Sequence, residues 1–149
     1  MSEAWYRIRP AGASDAAAVA DLAAGLAQSF TFSRARFDRS YPALLASDGA
    51  CLLLAADGDE HLGYLLGFEH LTFYAGGPVA WVEEVFVCGR HRDAGVGRAL
   101  MSGFEQWAAA RDCALVALAT RRAAPFYLAL GYEESAVYYR KVLGAQARQ

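Results

Sequence analysis

The sequence predicts one α/β domain spanning residues 1–149, a mixed sheet with helices on its faces. Three observations carry that expectation. Short apolar or alternating runs recur between segments of helical periodicity. Turn signals at Asp48-Gly49, Asp57-Gly58-Asp59 and Gly76-Gly77-Pro78 separate them. The chain is 56 % hydrophobic and 20 % charged over 149 residues, enough to fold and to bury a core.

In chain order, Tyr6-Arg7-Ile8-Arg9 alternates as a first strand that Pro10 ends. Ser14-Asp15 is expected to cap a helix running to about Gln28, with Val19, Leu22 and Leu26 on its apolar face. Ser29 to Ser47 mixes aromatics with Arg34, Arg36, Asp38 and Arg39. Pro42 interrupts it, so it reads as either a second helix or an irregular cover. Cys51 to Ala55 and Leu62 to Tyr74 form two strands around the Asp57-Gly58-Asp59 turn, and Val79 to Cys88 a third. A polar loop, Gly89 to Ala94, leads into a helix from Gly95 to Arg111 that carries Leu100, Phe104 and Trp107. Ala114 to Ala119 is wholly apolar, as for a strand buried on both faces. Ala123 to Leu130 is a helix stopped by Gly131, and Glu134 to Val142 alternates as a closing strand. The order is β-α-α-β-β-β-α-β-α-β.

Composition narrows the partners. Net charge is −2 and the pI is near 5.9, so nothing draws the chain generally to nucleic acid or anionic membrane. Its basic residues are thirteen Arg and one Lys, Lys141. A phosphate site must therefore use arginine or backbone amides. The N-terminus lacks the apolar core of a signal peptide, and no apolar run approaches the roughly 20 residues of a membrane span. Cys51, Cys88 and Cys113 sit in or beside apolar runs without metal-ligand spacing, and read as reduced thiols. The expected location is the cytoplasm, and no metal is expected. His61, His70 and His91 show no metal spacing. His61 and His91 are expected to be solvated.

The segment richest in chemistry is strand, then Arg92-Asp93-Ala94-Gly95-Val96-Gly97, then helix. A loop that feeds a helix N-terminus offers unpaired N–H groups at the positive end of a dipole. Glycines let the backbone approach a ligand closely. The result suits a pyrophosphate, with Arg92 and Arg98 able to add charge-assisted bonds. No Gly-Lys-Ser/Thr follows, so this is not a Walker loop, and the dinucleotide fingerprint needs a third glycine. The alternative is a turn with a glycine-tolerant helix start. About thirty residues later comes Ala123-Ala124-Pro125-Phe126-Tyr127-Leu128-Ala129-Leu130-Gly131-Tyr132.

Together the two segments resemble the GNAT acetyltransferase superfamily. Its pyrophosphate motif, Gln/Arg-x-x-Gly-x-Gly/Ala, is matched by Arg92, Gly95 and Gly97. Its later motif is matched by Ala123, Phe126, Tyr127, Gly131 and Tyr132, with Thr120 where the family often has Asn. Element order and length agree over nearly the whole chain. The resemblance implies a mostly antiparallel central sheet and acetyl-CoA as co-substrate. It implies that Val85, Phe86 and Val87 bond the pantetheine arm from a splayed strand. It places the pyrophosphate on Arg92, Asp93, Ala94, Gly95, Val96, Gly97 and Arg98, with Thr120, Ala123 and Phe126 beside the cofactor.

Tyr127 matches the family's general acid. A phenol of pKa about 10 stays protonated at neutral pH and can donate to a departing thiolate. The alternative is an aromatic that packs helix on sheet. Glu83 and Glu84 are two acids in an apolar strand, expected to point to opposite faces. One of them is expected to serve as base toward an amine, with a salt bridge to arginine as the alternative. The strand from Val79 to Val87 resembles that of polyamine and diamine acetyltransferases, which favours Glu83.

The segment that shapes the acceptor site in such enzymes, Ser29 to Ser47, is poor in acids and holds Phe30, Phe32, Phe37 and Tyr41. An aromatic or carboxylate-bearing amine suits it better than a polycation. The expected activity is direct acetyl transfer to a primary amine of a small molecule. Rival readings are a protein or peptide N-acetyltransferase and a silent acyl-CoA-binding module. Val137-Tyr138-Tyr139 on the closing strand is a candidate homodimer contact.

Overall fold

The computed structural model describes residues 5–27, 30–92 and 94–144. A five-stranded sheet runs in the order β1-β2-β3-β4-β5. Its strands are β1 (Arg7–Pro10), β2 (Ala50–Asp57), β3 (Glu60–Leu71), β4 (Pro78–Val87) and β5 (Val116–Leu118). The first four pair antiparallel and β5 joins β4 in parallel, giving the mixed, mostly antiparallel sheet expected. The parallel crossover passes through α3 (Val96–Ala110), as parallel neighbours require.

Alternation along the strands sends side chains to two cores. On one face Leu53, Leu65, Ala80 and Val82 pack under Leu100, Met101 and Phe104 of α3, with α4 (Ala124–Ala129) at the rim. On the other, Leu54, Tyr64 and Leu66 meet α1 (Ala16–Leu26) through Val19 and Leu22, and α2 (Arg34–Leu45) through Tyr41. Phe104 and Leu65 are fully buried, each contributing about 1.5–3 kcal/mol of transfer free energy.

β4 carries one irregularity that positions everything downstream. Leu66 pairs with Glu84 and Gly67 with Val82, so Glu83 is an extra residue bulged from the ladder. The core-facing parity flips there. Ala80 and Val82 lie in the α3 core before the bulge, and Val85 and Val87 pack against it after the bulge. Gly67, opposite the bulge, is where Phe104 sits, and a Cβ there would collide with its ring.

Several expectations are corrected. Ser14-Asp15 does not cap α1 through a side chain. A 3-10 turn, Ala13–Asp15, precedes the helix, and the Asp15 carboxylate accepts from the Gly12 amide (2.8 Å) and from both Arg9 terminal nitrogens (2.8 and 2.9 Å). The expected helix end at Gln28 and the start of the next segment at Ser29 lie outside the described residues. Pro42 does not end α2. The helix begins at the Ser33 cap, whose Oγ accepts from the Arg36 amide, and Tyr41 anchors it by donating to the Gly12 carbonyl at 2.7 Å. β3 stops at Leu71, short of Tyr74.

β5 is only three residues long and half-buried, not buried on both faces, because its outer edge has no neighbouring strand among the described residues. The closing strand from Glu134 to Val142 does not pair. These residues run outside the ladder with Val137, Tyr138 and Tyr139 exposed. Alternation specifies a face, but a strand also needs an edge. The three-residue β5 offers little of one, and Tyr138 instead stacks on Trp81 at 6.2 Å.

Candidate functional site

The strand pair β4–β5 opens where the bulge begins. Pairing runs from Ala80–Val116 to Val82–Leu118 and stops, so past the bulged Glu83 the residues Glu84 to Val87 are laddered to β3 alone. Half of β4 thus has a free backbone edge, the splay expected along Val85, Phe86 and Val87. One acceptor on it is already engaged, since the Val87 carbonyl takes a hydrogen bond from Arg92 Nε at 3.3 Å.

The loop between β4 and α3 ends on Gly95, whose φ of +80° is a left-handed conformation that glycine adopts without steric cost. The Tyr6 hydroxyl donates to the Ala94 carbonyl at 3.2 Å and ties the loop to the N-terminal segment. The first intrahelical bond of α3 is Ala99 N–H to Gly95 C=O. The amides of Val96, Gly97 and Arg98 therefore have no acceptor within the helix and mark its positive end. Arg98 is exposed beside them. Asp93 lies outside the described residues.

Gly97 sets how closely α4 approaches. A Cβ there would stand 3.2 Å from Phe126 Cζ and 3.8 Å from Val87 Cγ2. That contact joins loop, splayed strand and second motif. Thr120 accepts from the Ala123 amide through Oγ1 at 3.1 Å, so this hydroxyl shapes the turn into α4. Tyr127 is half-buried on α4 and packs against the same core as Val85 and Val87. Its ring lies 4.9 Å from Phe126 and 5.9 Å from Tyr132. Burial pushes the Tyr127 phenol up from its ordinary value.

The two acids part company at the bulge. Glu83 is exposed, accepts from Trp81 Nε1 at 3.3 Å, and lines a crevice of about 460 Å³ with Ala119, Thr120, Arg121 and Tyr138. Glu84 is half-buried on the α1/α2 face and accepts from the Tyr64 hydroxyl at 2.7 Å. Tyr64 is 1 % exposed. Burial first, then the Glu84 charge, drives its phenol far above the ordinary range, so it remains a donor. One phenol fixes the Glu84 carboxylate while leaving lone pairs for an ammonium.

Glu84 and Tyr64 close one end of a cavity of about 740 Å³ under α1 and α2. Tyr64 is the functional candidate that sequence reasoning missed. Its alternation with Leu66 marks a core-facing position, but its contact with Glu84 depends on cross-strand register that no local pattern reports.

Neither acid forms the salt bridge to arginine considered as its alternative role, among the described contacts. His91 departs from the solvated position expected. Its side chain is only 13 % exposed, with Nε2 at 3.5 Å from Glu60 and the ring 5.7 Å from Trp5. His70 sits near the far end of β3, paired with Val79 at the opposite end of β4 from the splay.

The Acetyltransferase (GNAT) family model matches residues 18–132. The chain is 30 % identical to an aminoglycoside N(6')-acetyltransferase type 1 of Stenotrophomonas maltophilia, over 94 % of this chain and 95 % of that protein. Two solved structures share the fold. Glucosamine-6-phosphate N-acetyltransferase from Arabidopsis thaliana superposes with a TM-score of 0.82 at 17 % identity, covering 93 % of this chain and 99 % of that one. AAC(6')-Iy, bound to the bisubstrate analogue CoA-S-monomethyl-acetylneamine, gives 0.78 at 20 % identity with the same coverages.

Proposed function

The chain belongs to the GNAT acetyltransferase family and is an acetyl-CoA-dependent N-acyltransferase, and from that premise we propose that it acetylates a primary amine of a small molecule by direct transfer. The observation that carries the proposal is the split of β4 from β5 after Val82. It sets the α3 amide end on one side of the sheet and the Glu84 cavity on the other.

The pyrophosphate of acetyl-CoA is assigned to the amides of Val96, Gly97 and Arg98, with Arg98 and Arg92 supplying positive charge. Val85 offers free backbone groups to the pantetheine arm, whereas those of Phe86 face Tyr64 on β3. Glu84, held by Tyr64, orients the incoming ammonium and accepts its proton. The amine then attacks the thioester carbonyl; the C–N bond forms, the nitrogen gives up its second proton to solvent, and the C–S bond breaks. Tyr127 returns a proton to the departing sulfur, a role that a phenol kept neutral by burial can fill. Glu84 is preferred over Glu83 because it is half-buried at a largely apolar cavity and has a buried orienting phenol, whereas Glu83 is exposed. The polyamine likeness of β4 finds no counterpart in the cavity wall.

The Stenotrophomonas relative supports a second acceptor, a sugar amine of an aminoglycoside. The homodimer through Val137, Tyr138 and Tyr139 belongs to the proposal too. Sedimentation of the full chain at twice its 16.1 kDa tests it. So does a reducing, cytoplasmic home, to which the three free thiols are suited.

The decisive test is thermal unfolding with millimolar acetyl-CoA against ATP and NAD, followed by thiol release on adding amines. A ligand at about 100 times its Kd contributes roughly 2.7 kcal/mol, a shift of several degrees. A shift with acetyl-CoA alone, then amine-dependent thiol release, is the expected result. Binding without release for any amine returns the chain to the silent-module reading.

A further inference from the structure

We propose, resting on the acetyltransferase reading above, that the acceptor is a primary amine at the end of an apolar aromatic or aliphatic body, with no second positive charge. The chemistry of the 740 Å³ cavity points there. Glu84 is the one acid among the described residues that line it, and it accepts from the buried Tyr64 hydroxyl. The walls are largely apolar, formed by Phe32, Phe37, Leu44 and Leu66, with Phe30 also lining the cavity and 42 % exposed. Phe37 bridges Phe32 at 6.0 Å and Tyr41 at 5.3 Å, a continuous aromatic wall along α2.

A polycation would need further carboxylates, because each ammonium taken from water without a partner is strongly disfavoured. The acid on α2, Asp38, is exposed, paired with Arg34 at 2.8 Å, and does not line the cavity. The other charged lining residue is Arg36, which is exposed and forms no ion pair with a carboxylate among the described residues. A guanidinium there repels a second ammonium and accepts an anionic or neutral tail. The volume lies in the range of pockets that enclose drug-sized ligands, so a body larger than a single ring fits.

The test uses the full-length protein and thiol release, with the acetyl-CoA thermal shift measured on the same sample. Tryptamine, 2-phenylethylamine and a propyl-to-octyl monoamine series form one arm; kanamycin and spermidine form the other. The expected result is at least a tenfold advantage in kcat/KM for the apolar arm. Within the alkyl series KM should fall by about fourfold per added methylene until the cavity is filled, the gain set by about 0.8 kcal/mol per buried CH₂. Preference for kanamycin or spermidine overturns the inference and leaves the acetyltransferase reading intact. Turnover of neither arm, with acetyl-CoA bound, overturns it as well. Absence of any acetyl-CoA shift in a folded sample sinks the underlying reading, and the inference falls with it.

Discussion

The two halves of β4 differ in what holds them. Ala80 to Val82 is laddered on both sides, and the Ala80 and Val82 side chains are buried under α3. Glu83 to Val87 bears both candidate acids and is half-exposed, laddered on one side only from Glu84 onward. A single strand thus serves as scaffold up to the bulge and as binding surface beyond it. Rigid backbone in the first half fixes the free edge of the second, which is how a site gains precision without closing.

The difference can be attacked from either half. The largest effect belongs to the scaffold. Phe104→Ala, which empties the space over Gly67 and the bulge, should cost about 3–5 kcal/mol, seen as a lowered urea midpoint. In the second half, Glu84→Gln should lower kcat/KM by about 10²-fold, the lower end of general-base contributions, with the melting temperature nearly unchanged. Glu83→Gln should change it less than about threefold, as suits an exposed acid outside the cavity. If Glu83→Gln is the more damaging, the base lies on the crevice side and the division drawn at the bulge is misplaced.

Gly95→Ala should cost about 1 kcal/mol, because its φ of +80° is unfavourable for a residue with a Cβ. It should also raise the acetyl-CoA Kd, measured by calorimetry, several-fold. A further effect is remote from both halves. Arg9 foremost, then the Gly12 amide, hold the Asp15 carboxyl down at about 2 despite its burial. Its unfolded value is about 3.9, so the contribution is complete above that pH and fades as pH falls through about 2. Asp15→Asn should lose roughly 1–2 kcal/mol at pH 7 and flatten the stability profile below pH 4.

Much of this was legible in the sequence for a physical reason. The glycine start and the helix after it are local features, written in glycine placement and helical period, and the structure forms both, with Gly95 at φ +80° ahead of α3. The mixed sheet followed from element order, and α2 was one of two alternatives that the residues left open. What the sequence could not report was non-local. Glu83 and Glu84 were expected to sit on opposite faces of a regular strand, but a bulge is a mismatch with the partner strand, and nothing in Glu-Glu announces it. The alternation from Glu134 to Val142 was a true face pattern without an available edge. The tie between Tyr64 and Glu84 spans twenty residues of sequence and exists only through register.

The bulge also acts as a change of reading frame in space. Upstream of Glu83 the even-numbered positions of β4 answer to the α3 core, and downstream the odd-numbered ones do. A scan of aspartate substitutions along the strand should therefore show a two-residue rhythm of intolerance that slips by one step at Glu83. Deleting that residue would leave a single unbroken rhythm, with Val82 and Val85 still toward the α3 core and Glu84 still toward the cavity, so the slip in the scan would vanish.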